Sequence, residues 1–185
     1  MNYRSLLASL LLAASPLFAR AAGAALQLTG EPRVGQSFAL QLRLRHPFAQ
    51  LDPAELLLSF GFRLDFDASR LQLLQFLPAE GWNDDSPWLG PGRYGASAFP
   101  GVADPGTEVL ALGTLRFRVL DAGVTRLRVF SEASDLDLGL NYLIAGPAEL
   151  AAEHTLALSP VPEPATVVLT VAGLVALGTR RRRAG

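Results

Sequence analysis

From Leu56 to Phe66 large apolar residues recur at every second position: Leu56, Leu58, Phe60, Phe62, Leu64 and Phe66, with Ser59, Gly61, Arg63 and Asp65 between them. A helix would gather residues three and four apart onto one side, whereas a strand points successive side chains to opposite faces. The spacing therefore predicts a strand with the six apolar residues inward and the other four outward. Ser37 to Arg45 repeats it, with Phe38, Leu40, Leu42 and Leu44 apolar and Ser37, Gln41, Arg43 and Arg45 polar. Leu115, Phe117 and Val119 alternate with Arg116 and Arg118, and Leu127 and Val129 with Arg126 and Arg128. Asp121-Ala122-Gly123 lies between these two runs and reads as the Gly-bearing turn of a hairpin.

Weaker strands fit around these, at Leu26 to Thr29, Leu71 to Leu77, Arg93 to Phe99, Val109 to Leu112, Leu136 to Tyr142 and Thr155 to Leu158. The apolar phase slips between Leu73 and Leu74 and around Gly113-Thr114, which predicts bulges. No segment of the body carries a helical stripe, and turn signals recur at roughly the 8 to 12 residue spacing of an antiparallel sandwich. The fold class expected is all-β, an antiparallel jelly-roll-like sandwich of about nine strands.

Both ends are hydrophobic and stand apart from this pattern. Met1 to Arg4 is short and basic, Leu6 to Phe18 is apolar, and Ala19-Arg20-Ala21 or Ala22-Gly23-Ala24 offers small residues for cleavage. That sequence of parts describes a secretory signal peptide over residues 1–24, and hence export through the Sec route. At the other end Val161-Pro162-Glu163-Pro164 precedes an apolar run over 165–179 and then Arg180, Arg181, Arg182 and Arg183. The run is apolar on every face, so it reads as one short transmembrane helix rather than an amphipathic one. The arginines that follow suit a cytoplasmic flank.

The order of Pro-Glu-Pro, hydrophobic run and basic cluster resembles the PEP-CTERM sorting signal of Gram-negative bacteria. The resemblance implies recognition of Val161, Pro162, Glu163 and Pro164 by an exosortase as processing partner, with Arg180 to Arg183 holding the topology of the tail. It further implies transient residence in the inner membrane through the C-terminal span, then release to the cell surface or an extracellular exopolysaccharide or biofilm matrix.

Three segments follow: 1–24, a single domain over 25–160, and 161–185. Of the chain's 16 basic residues six lie in the end segments, against one of its 17 acidic residues, so the body carries a net charge near −6. Such a charge disfavours nucleic acid as a general partner. With no cysteine in the chain, disulfides, thiol catalysis and cysteine-based metal sites are excluded. Stability must then come from a packed core, and the body is long enough to form one.

A second resemblance covers most of Leu26 to Leu158. Val34-Gly35-Gln36-Ser37-Phe38, the run Phe60 to Leu71 with Asp67-Ala68-Ser69-Arg70 in its turn, and Gly113 to Leu120 resemble the cohesin domain pattern. These are core and turn positions, with Asp67 expected to bond nearby backbone, so the likeness implies a fold first. By analogy it implies a dockerin-binding module, a carbohydrate-binding module or a surface-layer domain.

Catalysis finds little support. His46 and His154 are the only histidines and neither sits in a metal-ligand spacing. No nucleophile elbow or phosphate loop occurs. The acidic pairs Asp65 with Asp67, Asp84 with Asp85 and Asp135 with Asp137 lie beside turns, where carboxylates are common. The expectation is a protein that is not an enzyme and needs no cofactor. Asp135 and Asp137, with Glu132 and Asn141 nearby, form the best local cluster for calcium, against a reading as solvated loop acids.

Two surfaces are candidates for ligand binding. Gly81 to Phe99 holds both tryptophans, Trp82 and Trp88, with Tyr94 and Phe99. These rings either stack on sugar faces or plug the end of the sandwich. Arg116, Arg118, Arg126 and Arg128 make the second surface. A turn centred on Ala122 would set Arg118 opposite Arg126 and Arg116 opposite Arg128, four like charges on one outer face, suited to an acidic partner such as an anionic exopolysaccharide. The function expected is an exported, non-catalytic surface or matrix protein that binds a polysaccharide or a surface protein. A carbohydrate-binding module and a cohesin-type protein-binding module are the alternatives.

Overall fold

A computed structural model of the chain describes residues 23–132, 135 and 137–160. Both hydrophobic ends, including Val161 to Pro164 and Arg180 to Arg183, lie outside the described residues. Among the described residues no helix is long and apolar enough to cross a membrane.

The alternating segments form two antiparallel sheets packed face to face. The first has the order β1 (Gly23–Thr29), β2 (Ser37–Arg45), β7 (Val109–Val119) and β4 (Leu71–Pro78). The second is built on β3 (Leu56–Phe66), with β6 (Arg93–Ala103) and then β5 (Asn83–Asp84) along one edge. Along its other edge β8 (Gly123–Phe130) pairs with residues 63–66 and β9 (Gly139–Tyr142) with residues 57–61. Then β10 (Gly146–Ala148) extends β9, and β11 (Ala151–Leu158) extends β8. A parallel bridge from Ser159 to Arg33 closes the seam between the sheets beside β1.

The core is the interdigitated inner faces. Phe38, Leu40, Leu42 and Leu44 of β2 with Leu115, Phe117 and Val119 of β7 meet Phe60, Phe62, Leu127, Val129 and Leu140 from the second sheet, all buried. The rings pack edge-on where the sheets meet: Phe62 on Phe76 with centroids 5.3 Å apart, Phe66 on Phe117 at 5.4 Å. Each buried Phe or Leu is worth roughly 1.5–3 kcal/mol by transfer from water. The Asp67 turn forms as its sequence implies: the carboxylate accepts the Ser69 hydroxyl at 2.5 Å and the Ser69 amide at 2.9 Å, and pairs with Arg70 Nε at 3.3 Å. Those bonds, Ser69 first and then the Arg70 charge, hold the carboxyl below the usual aspartate range.

Four expectations are corrected. Val109–Leu112 and Leu115–Val119 form one strand, because the slip at Gly113 is a bulge within it opposite Leu42 and Arg43. The slip near Leu74 is likewise a register shift between Leu73 and Gln75, as expected. With short strands β5 and β10 added, the described residues hold eleven strands rather than about nine. The inward phase of β3 is not continuous: a shift between Leu57 and Ser59 makes Leu57 the buried residue, and Leu56 and Leu58 instead crowd against Gly101. Strand β1 runs to its first residues, with Gly23 and Ala24 paired to Arg45 and Leu44 of β2.

The fourth correction matters most for function. The β7–β8 hairpin does not form, because both edges of β7 are occupied by β2 and β4. The chain crosses instead to the second sheet through Leu120-Asp121-Ala122, pinned by Arg70, whose carbonyl accepts the Leu120 amide at 2.7 Å and whose guanidinium donates to the Ala122 carbonyl. Gly123, at φ 129°, leaves the space that this guanidinium fills.

Candidate functional site

Two glycines set up a trough on the outer face of the second sheet. Gly61 of β3 lies directly opposite Gly95 of β6, where other residues would project outward. Against Gly61 rests the backbone of Asp137 and Leu138; a Cβ there would collide with the Asp137 carbonyl oxygen. Against Gly95 rests Leu89, which a Cβ would approach to 2.8 Å. Leu89 ends the one-turn helix α1 (Ser86–Leu89), tied to β6 by the Asp85 amide on the Gly95 carbonyl at 3.0 Å and by the Gly95 amide on Ser86 Oγ at 3.2 Å.

Between α1 and the 137–138 segment the sheet stays open over a hollow of about 340 Å³. Ser59, Ser97 and Asn141 line it, with Asp85, Leu89 and Asp137 around them. Asn141 donates from Nδ2 to Ser59 Oγ at 3.0 Å. The lining is thus rich in hydroxyl, amide and carboxylate groups, able to exchange hydrogen bonds with a polar ligand or a partner's backbone.

Beside this trough the candidate calcium ligands are already neutralised. Asp135 pairs with Arg93 at 2.5 Å and Arg63 at 3.7 Å, Asp137 with Arg93 at 3.8 Å, and Glu132 with Arg63 at 3.8 Å. Asp135 and Asp137 thus belong to an ion-pair network with Arg93 and Arg63 that ties the segment over Gly61 to β3 and β6. Asn141, grouped with them in the sequence, faces Ser59 instead.

The aromatic stretch divides. Trp82 is buried, with its ring edge-on to Phe60 at 4.9 Å, and the Tyr94 ring lies tilted against Phe62 at 5.8 Å and edge-on to Phe76 at 6.1 Å. These two plug the sandwich, and burial raises the Tyr94 phenol above its ordinary value. Trp88 on α1 is 86% exposed and Phe99 on β6 is 98% exposed. Both flank elements that bear the trough, since Leu89 and Ser97 belong to its lining.

The four arginines do not share a surface. Arg116 and Arg118 lie on the first sheet, beside Gln75 and Gln72 of β4. Arg126 and Arg128 lie on the second, where Arg126 pairs with Glu153 at 3.1 Å and Arg128 sits across from Asp65 and Glu153 and over the Phe130 ring. The expected arrangement required a β7–β8 hairpin, and the crossing between sheets removes it.

Sequence reasoning also missed Glu55. Its side chain is buried and accepts the amides of Ile144 and Ala145, each at 2.8 Å, and of Leu56 at 3.1 Å, clamping the β9–β10 turn against the start of β3. Burial pushes this carboxyl up, but the backbone bonds from Ile144, Ala145, Leu56 and Leu143 outweigh it and leave the group below the usual glutamate range. Nothing in the sequence separates this residue from other loop acids. Of the histidines, His46 lines a hollow of about 240 Å³ with Asp104 and Glu108, while His154 sits on β11, so the two belong to separate regions.

No protein-family model matches the sequence, and no curated protein does either. The fold does have solved counterparts. A cohesin module from a Clostridium perfringens family 33 glycoside hydrolase superposes with a TM-score of 0.55 at 12% identity, covering 74% of this chain and 96% of that one. A type II cohesin domain from the cellulosome of Acetivibrio cellulolyticus gives 0.47 at 8% identity over 74% and 95%. The sixth cohesin of scaffoldin B from the same organism, solved with a dockerin, gives 0.46 at 11% over 76% and 99%. At such identities the likeness is one of fold: the body is a cohesin-like β-sandwich.

Proposed function

We propose that this protein is an exported, non-catalytic binding module that docks a protein partner on the outer face of its second sheet, around the trough between α1 and the 137–138 segment. The observation that carries this reading is the exposure of Trp88 and Phe99, 86% and 98%, in a domain that buries most of its other rings. Exposed aromatic rings on a rigid scaffold are the residues on which interfaces concentrate their binding energy. The polar groups of Ser59, Ser97 and Asn141 would supply hydrogen bonds at the centre. The cohesin-like fold, shared with a cohesin module of a Clostridium perfringens glycoside hydrolase, supports the same reading of a non-catalytic module.

The test is co-purification from extracellular material with the Trp88→Ala/Phe99→Ala variant beside the wild type. A specific protein retained by the wild type and lost by the variant, at unchanged melting temperature, supports the proposal; equal retention refutes it. A second reading, a carbohydrate-binding module, is favoured by the hydroxyl-rich lining and by Trp88, which could stack on a sugar. Glycan-array binding lost on Trp88→Ala, without a protein partner, would put it first.

The ends complete the proposal. Residues 1–24 direct Sec export, and a cut after Ala21 rather than Ala24 would leave β1 whole, with Gly23 and Ala24 still paired to β2. The tail 161–185 is a PEP-CTERM-type signal that holds the protein in the inner membrane until an exosortase acts at Val161 to Pro164, with release to the cell surface or matrix. Intact masses from membrane and extracellular fractions, with Arg180 to Arg183 deleted as control, test it: loss of both ends outside the cell is expected, and an extracellular form with its C-terminus intact refutes it.

A further inference from the structure

The outer face of the first sheet is built without a carboxylate. β1, β2, β4 and β7 contain no Asp or Glu, although acids outnumber arginines in the body as a whole. Four arginines stand on that face: Arg43 and Arg45 on β2, Arg116 and Arg118 on β7, alternating with the buried Leu42, Leu44, Leu115 and Phe117. Among the described residues the ion pairs involve Arg33, Arg63, Arg70, Arg93 and Arg126, and none of these four. Arg43 bonds the side chain of Gln41. The nearest acids in the chain to β7 stand beyond its ends, Glu108 before it and Asp121 after it.

The spacing is that of a strip. Arg116 pairs across β2 with Ala39, and Arg43 lies four residues further along the same strand, roughly 13 Å away. Two arginine pairs are therefore set apart on one sheet, with Gln41 between them and Gln75 and Gln72 beside Arg116 and Arg118. Guanidinium forks bind carboxylates with two parallel hydrogen bonds, and glutamine amides both donate to and accept from hydroxyls. The aromatic residues of these strands, Phe38, Phe76 and Phe117, all point inward and are buried, so the face offers no ring on which a base could stack. Like charges on neighbouring positions repel, a cost that a bound polyanion would reverse.

We infer that this face binds a carboxylated polysaccharide, laid across β2 and β7 with its carboxylates on the two arginine pairs and its hydroxyls on Gln41, Gln72 and Gln75. The separation of the pairs fits an extended polymer better than one small anion. The surface lies on the opposite side of the sandwich from the trough, and its occupancy does not depend on what docks there.

The experiment measures binding of the full-length protein, in a nonionic detergent, to immobilised polygalacturonate. The Arg43→Gln/Arg45→Gln/Arg116→Gln/Arg118→Gln variant should lose at least about tenfold in affinity, and the wild type should weaken as salt rises. Arg126→Gln/Arg128→Gln, on the other sheet, should stay within about twofold. Either arginine pair replaced alone should give a partial loss, which keeps the test decisive if the fourfold variant folds poorly. Undiminished binding by these variants, an equal loss from Arg126→Gln/Arg128→Gln, salt-independent binding, or tighter binding to poly-glutamate or duplex DNA than to polygalacturonate would each overturn the inference.

Discussion

The two outer faces of this sandwich are made from similar alternating strands and finished in opposite ways. On the second sheet α1 and the 137–138 segment lie against glycines, Arg63, Arg93 and Arg126 are paired with acids, and a polar trough remains between the coverings. On the first sheet no carboxylate is present, and Arg43, Arg45, Arg116 and Arg118 stand without an acidic partner among the described residues. The covered face is held by specific contacts that substitutions should break; the bare face has few to lose. One face is thus shaped by its own loops, while the other is left to be neutralised from outside.

The largest expected break is at Glu55, beneath the turn that flanks the covered sheet. Glu55→Ala leaves the Ile144 and Ala145 amides without their acceptor and should cost about 3 kcal/mol in denaturant unfolding. The same clamp makes stability pH-dependent. Because the folded carboxyl lies below its unfolded value, its contribution is complete above the ordinary glutamate range and is lost as pH falls through the depressed folded value. Wild-type melting temperature should fall over that acid range, and a Glu55→Gln variant should show a shallower decline.

Gly61→Ala comes next, at about 2 kcal/mol, because its Cβ meets the Asp137 carbonyl oxygen and the segment over the sheet must move. The counterpart on the bare face, Ala39→Val, should stay within about 0.5 kcal/mol in the same unfolding experiment. Asp135→Asn, which frees Arg93 and Arg63 of their shared partner, should cost about 1 kcal/mol and lose most of that difference in high salt. Smallest of all, Arg116→Gln/Arg118→Gln should change stability by no more than about 0.5 kcal/mol, with any change a gain from relieved repulsion. A large loss there would reveal a partner on the bare face and erase the contrast.

Much of the architecture was legible in the chain, because side-chain alternation depends only on local geometry. The segments around Phe38 to Leu44, Phe60 to Phe66 and Leu115 to Val119 announce strands with a buried side, and the Asp67 turn announces itself through Asp, Ser and Arg. Pairing was less legible. Asp121-Ala122-Gly123 has the composition of a hairpin turn, yet whether β8 can join β7 depends on β2 and β4 having taken its edges, a fact of distant segments. The arginine surface failed for the same reason, and the strip that replaces it adds Arg43 and Arg45, which alternation alone had already turned outward. The trough was hidden because it depends on two glycines meeting across strands far apart in sequence, Gly61 and Gly95. The aromatic stretch divided because Trp82 lies on the path back into the core, whereas Trp88 sits on a one-turn helix whose inward residue is Leu89.

The most direct measurement sets two variants side by side: the dissociation constant of the co-purified protein partner for Trp88→Ala/Phe99→Ala and for Arg116→Gln/Arg118→Gln. A module that docks protein on its covered face predicts a loss of at least about tenfold in the first and a change within about twofold in the second. Full affinity in the tryptophan and phenylalanine variant, or an equal loss in both, would contradict it.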